Sequence, residues 1–258
     1  MPFVLPSSIA RFIDGAPLTR DCVGESPCEV HAFSRGNDRF FLKLSAAVYA
    51  PTTYSVLREA RVLQWLDGKL AVPEVVASAA DEAHEFMITR AVPGQPLSEL
   101  MAEAPTVHQA FNEALRQLQA VPVEGCPFDS SAAVRLRELE YLVGQGLIAD
   151  DWAPDTWPDL PTPEALIAHL HASVPVEDLA FSHGDLCDAN LFLDARERLH
   201  FIDLGRGGLA DPWLDIAFAH RNLAEELSPA AAERFIRQLG IPDQPARRLF
   251  FEQLDEMF

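Results

Sequence analysis

The sequence predicts an α+β protein made of two lobes, and three observations support this fold class. The first third of the 258 residues is rich in β-forming residues that alternate or run apolar between turn signals. Beyond Pro96 the apolar residues recur mostly with helical spacing, and a few short strands are set among the helices. The turn-rich segment Pro93–Pro96 separates the two parts. We therefore predict an N-terminal lobe over residues 1–92 and a C-terminal lobe over residues 93–258.

The predicted elements follow from these patterns. Pro163, Pro212 and Pro229 each come after a Thr, Asp or Ser, the usual order of an N-cap and the first helical residue. In the first lobe the patterns predict strands at 21–33, 38–46 and 85–94 and a helix at 52–66. In the second lobe they predict helices at 107–121, 132–146, 162–174, 211–227 and 229–240 and strands at 179–183, 190–194 and 199–205. An irregular acidic loop is expected at 149–163.

The composition excludes several classes of protein. Apolar residues make up 48% of the chain, which indicates a globular fold. The formal net charge of -19 repels nucleic acids and anionic membranes, so neither is an expected partner, whereas a polycationic ligand is attracted. No obligate protein partner is evident. The four cysteines have no zinc-site or disulfide pattern, and we find no signal peptide or membrane span, so we expect a cytoplasmic protein.

Two strands near the middle of the second half predict a β-hairpin that gathers polar residues. The segments NLFLD and LHFID flank four loop residues, and pairing Asp194 with Leu199 sets the register. Counting back along both strands places Asn190 opposite Asp203. An amide oxygen and a carboxylate would then meet at one end of the hairpin, and such hard oxygen ligands suit Mg²⁺.

A second carboxylate, that of Asp185, comes five residues before Asn190, in a turn entered through His183 and Gly184. It is placed to accept a hydroxyl proton. The run H-G-D-x-x-x-x-N, followed by I-D-L-G, resembles the catalytic loop and the metal-binding segment of kinases. By this resemblance Asp185 is the catalytic base, and Asn190 and Asp203 are the metal ligands.

A lysine and a glutamate in the first lobe predict a phosphate clamp. Lys43 shares one face of its strand with Phe41, opposite three apolar residues. Glu59 falls within the apolar stripe of the following helix, and a buried carboxylate there requires a cation. Lys43 is the natural candidate, and kinases use such a pair to hold nucleotide phosphates. The preceding segment VGESPCEV has a single glycine, unlike the multi-glycine loop of protein kinases.

Nearly the whole chain resembles the aminoglycoside phosphotransferases, particularly those that act on the 3′-hydroxyl. The segments HGDLCDAN, FIDLGRGGLADPWLDIAF, HRNLAEEL and LDEMF, together with CPFD and GQGL, occur in that family's order. The family has a two-lobed, protein-kinase-like fold and also lacks a multi-glycine loop. The resemblance implies transfer of the γ-phosphoryl group of ATP or GTP, with Mg²⁺, to an aminoglycoside hydroxyl, and hence antibiotic resistance.

The same resemblance assigns further binding residues. Ser26 would face the β-phosphate, Phe41 would stack on the adenine, and backbone groups of Arg90 and Val92 would bind its edge. Arg206 and Arg221 would orient acidic side chains. The ammonium groups of the substrate would be bound by Asp155, Glu225, Asp255, Glu256 and the terminal carboxylate of Phe258. The chain departs from its relatives in the acidic loop and at Asn222, where some relatives have an acid.

Two other functions are compatible with these residues. A kinase of the same fold could act on another small alcohol, such as choline, homoserine or a sugar amine, although the acidic C-terminus favours an aminoglycoside. A non-catalytic nucleotide-binding protein would have lost residues of the types found at Lys43, Asp185 or Asp203, and all three are present. The residues leave open the range of aminoglycosides, the choice between ATP and GTP, and the oligomeric state.

Overall fold

The computed structural model describes residues 4–21, 26–148 and 157–258. These residues form two compact units: Met1–Pro96 with Ala189–Arg206, and Leu97–Asp188 with Gly207–Phe258. The predicted hairpin therefore groups with the N-terminal part of the chain, whereas the sequence patterns assign it to the second lobe. The reason is local pairing, because strand Gln95–Pro96 is hydrogen-bonded to one strand of the hairpin. The division into a nucleotide-binding lobe at 1–92 and a catalytic and substrate-binding lobe at 93–258 remains a prediction.

The first unit contains helices and two antiparallel sheets. Its helices are α1 (Ser7–Ile13) and α2 (Val56–Leu66). Five strands, in the order β1-β2-β3-β5-β4, form the larger sheet: β1 (Thr19–Asp21), β2 (Glu29–Arg35), β3 (Asp38–Ala46), β4 (Val75–Ala80) and β5 (His84–Arg90). The smaller sheet has the order β6-β8-β9: β6 (Gln95–Pro96), β8 (Leu191–Leu193) and β9 (Leu199–Phe201).

Strand β3 separates the apolar core of the first unit from its polar face. Phe40, Leu42 and Leu44 are buried in a core shared with α1. The alternate residues of β3 point the other way, as a strand period of two requires. Helix α1 was not predicted from the sequence. It has seven residues and begins after a proline with no side-chain cap, so local signals are weak and the helix depends on its packing against the sheet.

The register of the hairpin differs by one residue from the prediction. Leu193 pairs with Leu199, so Asp194 does not. The carboxylate of Asp194 instead accepts hydrogen bonds from the backbone N–H groups of Arg196 (2.8 Å) and Arg198 (3.0 Å). The loop therefore runs from Asp194 to Arg198, because this aspartate caps the turn rather than extending the strand.

This shift changes the position of the predicted metal ligands. The N–H of Ile202 donates to the carbonyl of Asn190 at 3.0 Å, so Asn190 lies opposite Ile202 and the predicted pairing with Asp203 is wrong. A one-residue shift reverses the faces on which side chains point. Asp203 has left the strand, with a φ of 58° in the left-handed region. Its side-chain direction is thus set by this turn and not by strand alternation.

The second unit is mainly helical. Its strands β7 (Ala180–Ser182) and β10 (Gly208–Ala210) pair antiparallel. Its helices are α3 (Ala104–Gln119), α4 (Ala132–Gln145), α5 (Pro163–Ser173), α6 (Pro212–Glu226), α7 (Pro229–Gln238) and α8 (Pro245–Asp255). The five helices predicted for this part of the chain are confirmed, with ends that differ by up to three residues. Within the described ranges, no helix has the length and apolar character needed to cross a membrane.

The caps of three helices agree with the prediction, and one helix was missed. The side chains of Thr162, Asp211 and Ser228 accept hydrogen bonds from the first turns of α5, α6 and α7. Helix α8 begins instead after Gln244, whose side chain makes no capping bond. Because that N-terminal signal is absent, the helix is defined by the burial of its aromatic side chains, which the local sequence does not reveal.

We expect Asp194→Asn to lower the stability of the protein at pH 7 more than at pH 3. Backbone hydrogen bonds, first that from Arg198, hold the pKa of Asp194 well below its usual range. A carboxyl whose folded pKa is depressed contributes stability above its unfolded pKa of about 3.9, and this contribution is lost as the pH falls. Urea unfolding midpoints at both pH values measure the difference.

Glu197→Gln is the matched control, because Glu197 is an exposed carboxylate in the same loop. It should leave the midpoint unchanged at both pH values. An equal loss of stability from Asp194→Asn at pH 7 and pH 3 would contradict the assigned role of the carboxylate.

Candidate active site

Lys43 and Glu59 form a buried ion pair in the first unit. The Nζ of Lys43 lies 2.8 Å from the Oε2 of Glu59, and the side chains are 14% and 6% exposed. The predicted pairing is confirmed. Burial by itself lowers the pKa of Lys43, but the carboxylates of Asp203 and Glu59 raise it well above its ordinary value. The ammonium therefore stays protonated at any physiological pH.

Asp203 is the second carboxylate on this lysine. The Nζ of Lys43 donates a hydrogen bond to its Oδ1. The left-handed backbone at Asp203 turns the chain out of the hairpin towards β3. Strand β3, helix α2 and the end of the hairpin are thus joined through one ammonium group.

Helix α2 is also attached directly to the segment that follows Asp203. The guanidinium of Arg58 donates a hydrogen bond to the carbonyl of Gly205. Gly205 packs so closely that an added Cβ would lie 2.8 Å from the carbonyl oxygen of Thr53, a contact that real Cβ atoms do not make. Only glycine fits this position. The role of Gly205 was missed in the sequence, where it is one glycine of a run.

Asn190 and Asp203 have the donor chemistry expected of Mg²⁺ ligands. Both belong to the first unit, and both lie at the end of the hairpin that leads to Lys43. They provide an amide and a carboxylate oxygen, the hard ligands that Mg²⁺ prefers in small number. Among the residues that the structure describes, no group of three or more His, Cys, Asp or Glu side chains could hold a metal. A magnesium site here would thus depend on these two residues with water and phosphate oxygens.

The segment with Ser26 approaches the lysine through Cys28. Ser26 hydrogen-bonds the Cys28 thiol, and burial raises the pKa of that thiol to about 11, although Lys43 nearby opposes the shift. The Cys28 Sγ also donates to the carbonyl of Tyr54 at 3.4 Å. Ser26 is therefore linked to a thiol that interacts electrostatically with Lys43, and its contact with the β-phosphate stays a prediction.

The predicted adenine-binding residues are Phe41 on β3, Arg90 at the end of β5 and Val92 just beyond it. Phe41 is half-buried on the same face as Lys43, with the guanidinium of Arg39 5.1 Å from its ring centroid. The backbone N–H of Arg90 donates to the carbonyl of Glu74 at 3.0 Å. Adenine recognition at Arg90 would therefore use its carbonyl oxygen. Val92 follows in a half-buried position outside the strand.

In the second unit, the turn that carries Asp185 is held by a buried carboxylate on α6. Asp215 accepts hydrogen bonds from the backbone N–H groups of His183 and Gly184, both at 2.9 Å. The guanidinium of Arg135 donates to the carbonyl of Gly184 at 2.7 Å. Burial raises the pKa of Asp215, which is 2% exposed. The backbone before Asp185 is fixed on both its donor and acceptor sides.

A reciprocal side-chain contact holds the turn beyond Asp185. The amide of Asn222 donates to Asp188 at 3.0 Å, and the backbone N–H of Asp188 donates to the amide oxygen of Asn222 at 3.1 Å. An aspartate at position 222 could not make the first of these bonds and would face a like charge. An asparagine at position 222, where some relatives have an acid, therefore has a structural reason, because Asn222 stabilises the turn through Asp188.

The predicted acidic residues of the C-terminus are ordered around an arginine. Arg221 Nη2 lies 2.7 Å from the Oδ2 of Asp255. Burial lowers the pKa of this arginine, but Asp255, and then Glu225 and Asp185, raise it. The structure thus places Asp255 on Arg221, and Arg221 also interacts electrostatically with Glu225 and with the predicted base, Asp185. Asp255 is buried, which rules out a frayed tail.

The remaining predicted residues have different surroundings. Glu256 and Phe258 are half-buried, and the guanidinium of Arg135 lies 5.3 Å from the ring centroid of Phe258. Arg206 belongs to the first unit, where its guanidinium donates to the hydroxyl of Tyr54 at 3.1 Å. Asp155 lies outside the described residues.

The chain matches a family model and full-length relatives. The model of the phosphotransferase enzyme family, APH, matches residues 29–250. The aminoglycoside 3′-phosphotransferase of Acinetobacter baumannii is 40% identical over 98% of this chain and 99% of its own length. That of Campylobacter jejuni is 35% identical over 96% of this chain and all of its own length.

The chain belongs to the aminoglycoside 3′-phosphotransferase family.

Solved structures agree with this membership. The crystal structure of an aminoglycoside 3′-phosphotransferase of type VIII has a TM-score of 0.79 and 32% identity, covering 95% of this chain and 94% of its own. APH(3'')-Id of Streptomyces rimosus has a TM-score of 0.79 and 26% identity over 97% and 96% of the two chains. A second structure of that protein, 24% identical with a TM-score of 0.78 and 97% coverage of both chains, is a complex with ADP and streptomycin.

As a member of the aminoglycoside 3′-phosphotransferase family the chain is a phosphotransferase, and the predicted α+β, kinase-like fold class is confirmed. Several supporting residues of this phosphotransferase were not singled out in the sequence, notably Asp215 and Asp188. A carboxylate at helical spacing inside an apolar stripe was the available signal for Asp215, as it was for Glu59.

We expect Asp215→Asn to lower both stability and turnover. The substitution places an amide N–H₂ against one of two backbone donors, and losing one such buried hydrogen bond costs about 1–3 kcal/mol. The turn bearing Asp185 would loosen, so kcat should fall while nucleotide affinity stays near that of the wild type. Chemical unfolding and steady-state kinetics measure the two effects.

Glu226→Gln provides the control, since Glu226 is exposed on the same helix. Wild-type kcat in Asp215→Asn would show that the turn does not need this carboxylate.

Proposed function

We propose that the protein transfers the γ-phosphoryl group of ATP or GTP to a hydroxyl of an aminoglycoside, most specifically the 3′-hydroxyl, and so confers antibiotic resistance. The observation that carries the proposal is the buried Lys43 held between Glu59 and Asp203. This arrangement matches the lysine and glutamate with which kinases hold nucleotide phosphates.

The first unit supplies the nucleotide-binding residues. Lys43 presents its charge to the phosphates, and Ser26 faces the β-phosphate. Phe41 stacks on the adenine, with backbone groups of Arg90 and Val92 at its edge. Asn190 and Asp203 would hold Mg²⁺, which would supply positive charge to offset the negative charge of the transferring phosphoryl group.

Asp185 acts on the acceptor. Its carboxylate hydrogen-bonds the attacking hydroxyl, orients it in line with the phosphoryl group and accepts its proton. Asp215 and Arg135 support this by fixing the preceding backbone. Because the transition state of phosphoryl transfer is loose, alignment of the hydroxyl contributes more than removal of its proton.

Carboxylates of the second unit bind the substrate's ammonium groups. Asp255, Glu225, Glu256 and the terminal carboxylate of Phe258 form this set, with Asp155 from the acidic loop, and Arg221 orients Asp255. Arg206, which belongs to the first unit, is also proposed to orient an acidic side chain. Aminoglycosides carry several positive charges at neutral pH, and the net charge of -19 attracts them over a distance of roughly a Debye length, about 8 Å at physiological salt.

The relatives favour this acceptor over choline, homoserine or another small alcohol. Those at 40% and 35% identity are both named aminoglycoside 3′-phosphotransferases, and both align over almost their entire length. The Streptomyces rimosus relative binds ADP and streptomycin.

We predict that Asp185→Ala lowers kcat by about 10²–10⁴-fold with kanamycin as acceptor, because the variant cannot align or deprotonate the hydroxyl. A coupled assay of ADP release measures the rate. Nucleotide affinity, measured separately with a fluorescent ATP analogue, should change little. If Asp185→Ala retained nearly full kcat, another group would be the base.

The position of the acceptor hydroxyl is tested with a matched pair of substrates. Kanamycin and neomycin should both be phosphorylated, and a 3′-deoxy analogue should not, since it lacks the attacking oxygen. The assay should follow ADP and GDP release in parallel to identify the donor. Equal turnover of the 3′-deoxy analogue would show that a different hydroxyl is used.

A further inference from the structure

Glu85 is a buried carboxylate of the first unit that none of the proposed catalytic steps uses. It lies on β5 and is 8% exposed. Its Oε2 accepts hydrogen bonds from the hydroxyl of Ser55 at 2.6 Å, from the backbone N–H of Leu57 at 3.3 Å and from the hydroxyl of Ser45 at 3.4 Å. Within the described part of the chain, no basic side chain lies within ion-pair distance of it. Its hydrogen-bond partners are therefore two hydroxyl groups and one backbone N–H group.

These contacts complete the N-terminus of α2. A helix leaves its first N–H groups without partners inside the helix. Here the N–H of Val56 donates to Ser45 (3.3 Å), that of Leu57 to Glu85, and that of Arg58 to Ser55 (3.1 Å). Two of these three acceptors are on the sheet, so the cap is also an attachment between helix and sheet. The positive end of the helix dipole further favours a carboxylate at this position.

The residues that attach α2 to the sheet lie close in sequence to the predicted phosphate clamp, Lys43 and Glu59. Ser45 is two residues after Lys43 on β3, so both side chains share one face of the strand. In the pairing of β3 with β5, Glu85 is opposite Ser45 and Met87 is opposite Lys43. One turn into α2 comes Glu59, whose carboxylate is 2.8 Å from the Nζ of Lys43. Glu85 thus fixes the helix to the same strands from which Lys43 projects.

We propose that Glu85 is a positioning residue for the nucleotide site, which acts by holding the first turn of α2 so that Glu59 stays on Lys43. This inference rests on the proposed function. The rigid element is the sheet, and the movable element is the helix. Without the carboxylate, α2 moves away from the sheet at its N-terminus, and Lys43 loses the partner that orients it.

The test uses nucleotide affinity, measured by titration with a fluorescent ATP analogue in the absence of an acceptor. Glu85→Ala should raise the Kd by about 10- to 100-fold, the usual effect of losing a group that orients a binding residue. Glu85→Gln keeps an oxygen acceptor at the same place and should recover most of the affinity. The KM for the aminoglycoside should be unchanged in both variants.

A double-mutant cycle distinguishes positioning from a general loss of structure. If Glu85 acts through Glu59, the double variant Glu59→Ala/Glu85→Ala binds nucleotide no more weakly than Glu59→Ala alone. Additive losses would overturn the proposal. Glu82→Ala is the matched control, because Glu82 is an exposed carboxylate in the turn that precedes β5. This variant should bind nucleotide as the wild type does.

A second variant covers the case in which Glu85→Ala does not fold. Ser55→Ala removes the closest donor to Glu85 and should weaken nucleotide binding in the same direction. Wild-type nucleotide affinity in Ser55→Ala would refute the proposal, because this variant lacks the closest hydrogen bond to Glu85. If nucleotide affinity depends on Glu85 as proposed but no aminoglycoside is phosphorylated, only the proposed acceptor is refuted.

Discussion

The proposed nucleotide site depends on one buried ammonium group held by two carboxylates. Lys43 contacts both Glu59 and Asp203, which come from separate parts of the chain. Burying these charges is costly unless each is paired, and removing one partner of such a group typically costs about 3–5 kcal/mol. The positions of β3, α2 and the residues after the hairpin are therefore coupled. The three side chains carry one net negative charge, which is compatible with the proposed magnesium site.

Around this group, buried carboxylates recur as acceptors for backbone N–H groups. Asp194 closes the hairpin loop, and Glu85 caps α2. In the second unit, Asp215 holds the turn before Asp185. Charge-assisted hydrogen bonds of this kind are stronger than neutral ones and are directional. Such acids fix irregular backbone next to functional residues, where neither a helix nor a sheet can supply hydrogen-bond partners.

In the proposed substrate site of the second unit, the carboxylates have a different role. Asp255 and Glu225 lie near Arg221, so part of their charge is already compensated within the protein. Arg221 also interacts with Asp185, which links the acidic C-terminus electrostatically to the turn of the proposed base. These carboxylates are therefore positioned by a shared arginine, Arg221. Asn222, bound to Asp188, is withdrawn from that set and stabilises the turn.

The errors in the sequence-based prediction have a common origin in long-range contacts. The hairpin was predicted one residue out of register because Asp194 was counted as the last residue of its strand. It is instead the first residue of the loop, which its carboxylate closes. Helix α1 was missed because it has only seven residues, and helix α8 because it depends on the burial of aromatic side chains against distant residues. The lack of a side-chain cap is not a sufficient reason, since α3 and α4 also lack one and were predicted. The segment with Asn190 and Asp203 pairs with β6 and groups with the first unit, while the division into lobes 1–92 and 93–258 stays a prediction.

The sequence by itself determined the fold class, the family and the chemistry of the site. Those depend on residue types at short spacings, such as Asp185 before Asn190 and Glu59 within an apolar stripe, and short spacings are constrained by helix and strand periods. The Lys43–Glu59 pair was also predicted from the sequence, and tertiary structure alone decided the other partners of these residues. Hydrogen bonds such as that from Leu57 to Glu85 join residues distant in the chain, and their geometry comes from packing that no local pattern encodes.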